Sequence, residues 1–418
     1  MRRWPKCRLF HLFAKNETEY DQRVFDRESV SAATWPAAQL SSSRASVLSG
    51  WLRRETDMKS RDQQLDMLRG IAILLVLGRH VHYLQFWHGI GWSGVDLFFV
   101  LSGFLISGLL FNEYKNTGRI NVKRFWIRRA FKIYPPFYGL ILLTVAYFLI
   151  WYKTVPRALL GDIFFLQNYA PRVWGHGWSL AVEEHFYIAL PLVLMLMIRL
   201  SRDKENPFRR IPLISICLTI LCLYMRVSAS HRTVEWERLA FPTHLRVDAL
   251  FAGVTLGYFN HFDTAAFRQR HRFPLWLAGL LLLVPAFLFD GTTFTSTIGL
   301  TFAFAGFGCI VVWAVNRQPS RNPVQKVLAW IGYYSYSIYL WHGVPAIYVF
   351  QKLPQTALMC AAYLFVCIAL GVGMAKIIEV PALRLRDRYF PSRSAQSLPE
   401  KIVVGPAPKV LIESCQET

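Results

Sequence analysis

Long apolar runs are the feature of this sequence that most restricts its fold. Stretches of about 16–24 mainly apolar residues recur along the chain, which is the length that crosses the hydrocarbon core of a bilayer as a helix. Hydrophobic residues make up 54% of the chain and charged residues 17%, whereas an ordinary soluble domain has about 25% charged residues. A soluble multi-domain enzyme is therefore excluded. An outer-membrane barrel is also excluded, because its strands would be alternating segments of about 10 residues.

The runs predict an all-α, polytopic membrane protein with about ten transmembrane helices. Residues 1–60 contain no secretory signal peptide and are predicted to be a disordered cytoplasmic tail, or to precede a true start at Met58. Residues 61–390 are predicted to be the membrane domain, and the Pro- and Ser-rich 391–418 a second disordered cytoplasmic tail. The predicted spans cover about 65–84, 92–111, 137–152, 178–198, 211–226, 243–259, 274–289, 294–315, 327–350 and 357–379.

The distribution of basic residues predicts the orientation of these spans. Loops 112–136, 199–210, 261–273 and 316–326 hold 18 Lys and Arg residues, whereas the alternate loops, of similar total length, hold 6. Because basic loops stay in the cytoplasm, both termini are predicted to be cytoplasmic and the protein to lie in the inner membrane. The net charge of +21 is explained in the same way and does not indicate nucleic acid.

Ionisable residues occur within the first predicted span. Arg69 and His80 are eleven residues apart, which on a continuous helix places them on nearly one face and about 16 Å apart, with Asp66 on almost the same face. Such residues are costly inside a membrane and usually serve function. The alternative is that Arg69 reaches lipid headgroups and His80 packs between helices.

Other spans carry further polar residues. Glu183 and Glu184 lie one to two turns inside the fourth span, and adjacent residues point to different sides of a helix, so at most one of them is expected to face the interior. Asp96 begins the second span and is either acceptor-facing or a helix cap. Arg246 and Asp248 could pair with each other in the sixth span. His342 lies near the end of the ninth span and Glu379 at the end of the tenth, before Pro381.

The loop after the second span is the most basic part of the chain. Basic and aromatic residues alternate there, which predicts an amphipathic cytoplasmic helix that ends at Pro135 and Pro136. This helix either lies on the lipid surface or binds phosphate, since Arg is suited to bidentate contacts with phosphate oxygens. By pattern alone, the polar residues fit either a transferase that works across the bilayer or a proton-coupled carrier.

Five ordered segments resemble the acyltransferase 3 family of bacterial membrane O-acyltransferases. The resemblance covers about 62–390. His185 stands where the family usually has Gln, and His176 and Gly177 stand where a polar residue or Thr is more typical. These differences concern the choice of acceptor and not the residues assigned to chemistry. The segments are LDMLRGIAILLVLGRH, GVDLFFVLSGFLI, RFWIRRAFKIYPPFY, WSLAVEEHFY, and SYSIYLWH with IEVPALRL.

The resemblance implies transfer of an acyl group, often acetyl, from cytoplasmic acyl-CoA to a hydroxyl of a surface or secreted glycan or glycolipid. It implies that Arg69 and His80 act in catalysis or donor placement, and we add Glu183 as a residue that orients His80 or binds the sugar. No metal is expected, because no Cys or His cluster has metal-ligand spacing. A transporter or flippase for a lipid or sugar is the alternative. The expected acceptor-binding residues are Asp66, Asp96, Trp178, Glu184, Arg246 and His342, and the expected CoA-binding residues are Arg124, Arg128, Arg129, Lys132 and Tyr134.

Overall fold

The computed structural model describes residues 62–269, 274–289, 291–319, 322–348, 350, 353–354 and 356–391. The predicted tails 1–60 and 391–418 lie outside these residues, except for residue 391. The helices in chain order are α1 (Gln63–Gly78), α2 (Gln85–Ile90), α3 (Ser93–Thr117), α4 (Val122–Tyr152), α5 (Leu159–Ile163), α6 (Trp178–Leu200), α7 (Ile211–Ser230), α8 (Trp236–Ala240), α9 (Val247–Phe262), α10 (Thr264–Gln269), α11 (Leu275–Leu288), α12 (Leu300–Val315), α13 (Pro323–Tyr333), α14 (Ser335–Trp341), α15 (Gly343–Tyr348), α16 (Ala357–Met374) and α17 (Val380–Tyr389). Short 3₁₀ turns, Gly175–Gly177 and Thr243–Leu245, lie before α6 and α9, and π-helical turns, Thr295–Gly299 and Ala375–Glu379, lie before α12 and α17.

The fold class is confirmed as all-α and polytopic. In the described part of the chain, six helical segments are long and apolar enough to cross a membrane, and α11 is a shorter apolar helix. Large apolar side chains on the outer faces of α4, α7 and α16 are mostly exposed, as expected of surfaces that contact lipid. The count of ten spans stays a prediction. The six segments are 93–117, 122–152, 175–200, 211–230, 295–315 and 357–389.

The expectation that Pro135 and Pro136 end the basic helix is wrong. Both prolines lie inside α4, which runs without a break from the basic segment into the predicted third span. Proline removes a backbone donor and crowds the carbonyl four residues earlier, but neighbouring side chains can supply new partners within a membrane domain. The prolines remove the donors to the carbonyls of Phe131 and Lys132, and the Tyr336 hydroxyl donates at 2.8 Å to the next carbonyl, that of Ile133. At 31 residues, α4 is about 46 Å long, so it exceeds the hydrocarbon core of about 30 Å and its basic end extends beyond it.

The ninth predicted span is broken into three short helices, α13, α14 and α15. Turns at Tyr334 and His342 separate them, and the His342 Nδ1 donates to the carbonyl of Tyr339, which withdraws that group from a regular helix. At the start of this region Gly332 contacts the backbone of α1 so closely that an added Cβ would lie 1.7 Å from the carbonyl oxygen of Asp66. Hydropathy does not record such breaks, because it averages over the run.

The helical segment that contains the tenth predicted span continues beyond Glu379. A π-helical turn, Ala375–Glu379, joins α16 to α17, so the helical segment continues to residue 389. Pro381 falls in the first turn of α17, where a missing backbone N–H costs little. The extra residue of the π turn also places the Glu379 side chain in the protein interior.

Small residues bring the central helices together. An added Cβ on Gly103 of α3 would lie 1.9 Å from the carbonyl oxygen of Leu250 on α9, and one on Gly253 would lie 2.2 Å from that of Val100. The two backbones are therefore in direct contact, as is common where helices associate in membranes. Helices α1, α3, α9 and α13 pack together in this way and hold the site described below.

Candidate active site

A cavity of about 100 Å³ lies between α1, α3, α4, α6 and the broken ninth span. Its walls combine cations, carboxylates, hydroxyl groups and aromatic rings. Each of the five sequence segments that carry the family resemblance contributes to its lining. The polar lining residues are Arg69, Ser102, Arg129, Lys132, Ser179, Glu183, Glu184, Tyr187, Tyr333, Ser335, Tyr336 and Tyr339.

Glu183 is held by two hydroxyl groups. The Ser102 hydroxyl donates to Oε1 at 2.8 Å, and the Tyr187 hydroxyl donates to Oε2 at 2.6 Å. Tyr187 is one turn further along α6, on the same face as Glu183, whereas Ser102 belongs to α3. The carboxylate is therefore fixed in position at the cavity wall.

The expectation that at most one of the two glutamates faces the interior is wrong. Glu183 and Glu184 both line the cavity. They do point to different sides of α6, but α3 flanks one side and α4 the other, so the cavity reaches both. The Tyr134 hydroxyl of α4 donates to Glu184 Oε2 at 3.2 Å, which places Tyr134 beside the second carboxylate and outside the cavity lining.

Three cationic side chains face the same cavity. Arg69 of α1 lies with its Nη1 3.4 Å from Asp66 Oδ1, and Arg129 of α4 packs against the rings of Phe125 and Tyr187, each centroid 5.8 Å away. Lys132 forms an ion pair with Glu379. The cavity thus contains opposite charges from several helices, and buried charges are retained where they are paired or functional.

Arg124 and Arg128 point away from the cavity. Their guanidinium groups donate to the backbone carbonyls of Pro391 and Phe390, and Arg128 also lies 3.2 Å from Asp387. The end of the C-terminal helix therefore covers this part of the basic segment. The expected CoA-binding set divides into residues at the cavity, Arg129 and Lys132, and residues outside it, Arg124, Arg128 and Tyr134.

His80 lies in a turn just beyond the end of helix α1. Helix α1 ends at Gly78, and the backbone N–H of His80 bonds to the carbonyl of Leu77 at 3.1 Å in a following turn. The separation of about 16 Å from Arg69 assumed a helix that continues to His80, whereas the last two residues of that stretch lie beyond the end of α1. His80 does not belong to the cavity lining, and its ring centroid lies 5.3 Å from that of His342.

Tyr339 and Ser179 separate the cavity from the histidines. Both residues line the cavity, and their hydroxyl oxygens are 2.5 Å apart. The Tyr339 hydroxyl also donates to the carbonyl of His176 at 2.7 Å, and its ring centroid lies 5.5 Å from that of fully buried His342. The cavity and the histidine group are thus neighbours across one layer of side chains.

Arg246 and Asp248 do not pair with each other, which the sequence allowed as one possibility. Arg246 Nη2 lies 2.8 Å from Asp96 Oδ1, and Asp248 pairs instead with Arg226 of α7 at 2.9 Å. Residues two apart do not face each other on a helix, so each charge finds its partner on another element. All four side chains are buried, and the two pairs join α3, α7 and α9.

Trp178 adjoins the first of these pairs. The Arg246 guanidinium lies 5.8 Å from the Trp178 ring centroid, and that ring stacks on Phe241 with centroids 4.4 Å apart. Asp96, Trp178 and Arg246 are therefore grouped next to the cavity, although none of them lines it.

Asp162 fixes the loop that leads into α6. Its carboxylate accepts the backbone N–H of Val173 at 2.7 Å and that of Trp174 at 3.4 Å. Burial raises the pKa of this carboxyl to about 6, whereas the two N–H groups favour its ionised form. The loop carries His176, so these bonds help to place that side chain.

Comparisons with known proteins decide the family. The family described as an acyltransferase domain matches residues 62–376. The chain belongs to this acyltransferase family. Similar proteins include the peptidoglycan O-acetyltransferase OatA of Listeria monocytogenes, 27% identical over 352 residues, which are 76% of this chain and 55% of that protein. A protein named "Putative O-acetyltransferase" from Staphylococcus aureus is 28% identical over 374 residues, 78% of this chain and 59% of its own length.

A third relative extends the comparison to another genus. The "Putative peptidoglycan O-acetyltransferase YrhL" of Bacillus subtilis is 25% identical over 306 residues, 66% of this chain and 47% of its own. The acyltransferase chain thus spans about half the length of the curated relatives it matches. No solved structure matches it.

The sequence of this acyltransferase does not by itself identify several cavity-lining residues, or the histidine at position 176, as members of the candidate site. Ser102, Ser179 and Tyr187 gain a role only from the geometry, because hydroxyl residues in apolar spans are also common at helix contacts. From the sequence, His176 is associated only with the choice of acceptor. The one sequence signal that draws attention to His176 is that the family usually has another residue at this position.

Proposed function

We propose that the protein transfers an acyl group, acetyl in the first instance, from cytoplasmic acyl-CoA to a hydroxyl of a cell-surface or secreted glycan or glycolipid. Family membership and the names of the relatives, one a peptidoglycan O-acetyltransferase and one named "Putative peptidoglycan O-acetyltransferase", support acyl transfer to a cell-wall glycan. The observation that carries the proposal is the single cavity to which all five family-like segments contribute charged, hydroxyl or aromatic side chains.

The donor would enter from the basic side. Arg129 and Lys132 offer cations to the phosphates of CoA at the cavity, and Arg124 and Arg128 extend the positive surface. The pantetheine arm would then pass Arg69, whose guanidinium can place the thioester or polarise its carbonyl.

The acceptor would enter from the opposite side, near Trp178. In the reaction, His80 takes the proton of the acceptor hydroxyl, the hydroxyl oxygen forms a bond with the carbonyl carbon, and the carbon–sulfur bond breaks. The thiolate then takes the proton from His80, so that CoA leaves as a thiol. Glu183, fixed by Ser102 and Tyr187, orients the acceptor or His80. Because His80 lies behind Tyr339 and Ser179, the thioester and the acceptor hydroxyl would meet where this layer adjoins His80, and holding both reactants there would supply much of the rate.

The test is transfer of label from acetyl-CoA labelled in its acetyl group. Membranes with the wild-type protein, His80→Ala or His82→Ala are incubated with this donor and host envelope glycans. Alkali-labile label in the glycan fraction is then measured. We expect label with the wild type and with His82→Ala, whose side chain is exposed two residues away, and none with His80→Ala. Full activity of His80→Ala would remove His80 from the mechanism, and no label with any protein would contradict the proposed function.

One observation favours the second candidate, a transporter or flippase. The ninth predicted span is broken into α13, α14 and α15, and interrupted helices are common at transport sites. This candidate predicts movement of the substrate across the membrane without a covalent product. Intact donor or glycan recovered on the opposite side of sealed vesicles, with no ester formed, would support it against acyl transfer.

A further inference from the structure

Three histidines from separate parts of the chain meet beside the cavity. His80 follows α1, His176 lies in the 3₁₀ turn before α6, and His342 lies between α14 and α15. The ring centroids of His80 and His342 are 5.3 Å apart, and those of His342 and His176 are 4.8 Å apart. His342 is therefore the middle member of a row of imidazoles that leads away from His80.

Backbone carbonyls fix the tautomers of His342 and His176. A carbonyl only accepts, so the His342 Nδ1, which bonds to the Tyr339 carbonyl, carries a proton, and its Nε2 in the neutral ring has a lone pair. The His176 Nε2 bonds to the Leu340 carbonyl at 3.1 Å, which leaves the lone pair of its neutral ring on Nδ1.

The lone pair on His342 has no other use in the described structure. His342 is fully buried, and its Nε2 has no hydrogen-bond partner among the described residues. A buried acceptor without a partner is costly, so such groups are rare in folded proteins unless they serve a function. The ring of His80 is its neighbour on one side and the ring of His176 on the other.

Among the residues that the structure describes, no group of three or more His, Cys, Asp or Glu side chains is arranged to hold a metal ion. Arg79, His82 and His88 lie on the side of His80, Tyr339 lies against His176 and His342, and the Trp174 ring packs edge-on against His176. An imidazole lone pair is thus the acceptor that the fold offers to His80.

We infer that His342 is a positioning residue whose Nε2 accepts the N–H of His80 when the two neighbouring rings, now 5.3 Å apart between centroids, turn toward each other, and that His176 holds His342 in place for this contact. The inference rests on the proposed function and adds the group that orients its base. With one ring nitrogen of His80 donating to His342, the other presents its lone pair to the acceptor hydroxyl. After His80 takes that proton, the neutral neighbours share the positive charge until the thiolate takes the proton. A neutral imidazole thus has the role that a carboxylate has in a Ser-His-Asp arrangement.

The first experiment compares apolar with amide replacements in the full-length protein in membranes. His342→Leu and His176→Leu remove the lone pair, whereas His342→Gln and His176→Asn keep both a donor and an acceptor. We expect His342→Leu to lower kcat about 100-fold with KM for acetyl-CoA within about twofold, and His176→Leu to lower kcat about tenfold. The amide variants should recover most of the loss. His244→Leu, at an exposed histidine outside the row, should match the wild type.

Two results would overturn the inference. Equal activity of the leucine and amide variants at one position, whether high or low, would show that the lone pair has no part in the reaction. A rise in KM without a fall in kcat would assign the histidines to donor binding. Protein amount and the melting temperature of each variant identify those that fail to fold, and the amide variants then carry the comparison.

A second measurement does not depend on transfer. Nitrogen-15 spectra of histidine-labelled protein in liposomes report which ring nitrogens carry protons and whether they form hydrogen bonds. We expect His342→Gln to shift the ring N–H signal of His80, whereas His244→Leu should not. An unchanged His80 signal would overturn the inference even if transfer is observed. Conversely, a shifted signal in a protein without transfer would contradict the proposed function and leave the contact in place.

Discussion

Glu183 shows at the scale of single residues how the protein keeps a carboxylate among apolar helices. A charged group is tolerated in such a place when hydrogen bonds satisfy its oxygens. Ser102 and Tyr187 do so from two different helices, and the geometry of the carboxylate is then set by both. The position of Glu183 is thus the product of tertiary packing as well as of its own helix.

Replacing Tyr187 with Phe tests this arrangement. The change removes one donor to Glu183 and keeps the ring, so we expect kcat/KM for acyl transfer to fall about 10–100-fold, the usual worth of a hydrogen bond to a charged group. Tyr224→Phe is the matched control, since its side chain is 68% exposed on the outer face of α7. Rates for Tyr187→Phe equal to those of the control would show that Glu183 needs no such support.

Sequence could identify the charged residues but not their partners. Arg246 and Asp248 are close in sequence and could pair, yet each bonds to a residue on another helix. Likewise, the spacing of Arg69 and His80 predicts that both lie on one face only if the helix continues past Gly78, and the helix ends there. Partner choice depends on which helices are neighbours, and one sequence does not contain that information.

At the level of secondary structure, helix α4 combines a basic first part with an apolar second part. Its first turns carry the basic residues, and its later turns cross the apolar layer. Successive basic side chains point to different sides, so Arg129 faces the cavity while Arg128 contacts the C-terminal helix. Variants of these two neighbouring arginines therefore compare a cation at the cavity with a cation outside it.

Neutralising these arginines one at a time should give different kinetic results. Arg129→Gln is expected to raise KM for acetyl-CoA about tenfold, equivalent to about 1.4 kcal/mol of binding, with kcat changed less. Arg128→Gln should raise KM less, because its guanidinium is already bonded to the carbonyl of Phe390. Steady-state kinetics on both variants decide this, and a larger effect at Arg128 would place the CoA phosphates outside the cavity.

The contact between α3 and α9 leads to a prediction about stability. Gly103→Ala places a methyl group against the backbone of Leu250, which cannot move aside, so we expect a loss of about 1–3 kcal/mol of stability. Gly373→Ala is the control, because a Cβ there meets open space. Melting curves in detergent should show a lower midpoint for Gly103→Ala alone. Equal midpoints would mean that the two helices can separate at little cost.

Elements were predicted well where length and hydropathy define them and poorly where local interactions alter a helix. The start of the second span and both ends of the fourth lie within two residues of the observed helices α3 and α6, because each is one long apolar run. Pro135 and Pro136 were expected to stop α4, but a membrane domain can satisfy the groups that proline exposes. The break at His342 arises from a side-chain bond to the backbone, which hydropathy cannot detect.

For the whole molecule, the charge distribution and the cavity are both consistent with a donor that enters from the basic side. The basic loops predict which side faces the cytoplasm. Arg129 and Lys132 line the cavity and belong to the part of α4 that lies within the basic loop 112–136. The proposed function requires an acyl-CoA donor on the cytoplasmic side and a glycan acceptor on the other side. The proposed reaction would join the two at the cavity and the adjoining histidine row.

Sided membrane vesicles test that account most directly. Labelled acetyl-CoA is added to the outside of inverted vesicles, which expose the cytoplasmic face, and of right-side-out vesicles, each containing the wild-type protein or Glu183→Gln. We expect alkali-labile label in the glycan fraction of inverted wild-type vesicles, and little in the other three samples. Label that forms equally well in right-side-out vesicles, or no label in either orientation, would contradict transfer from a cytoplasmic donor through this cavity.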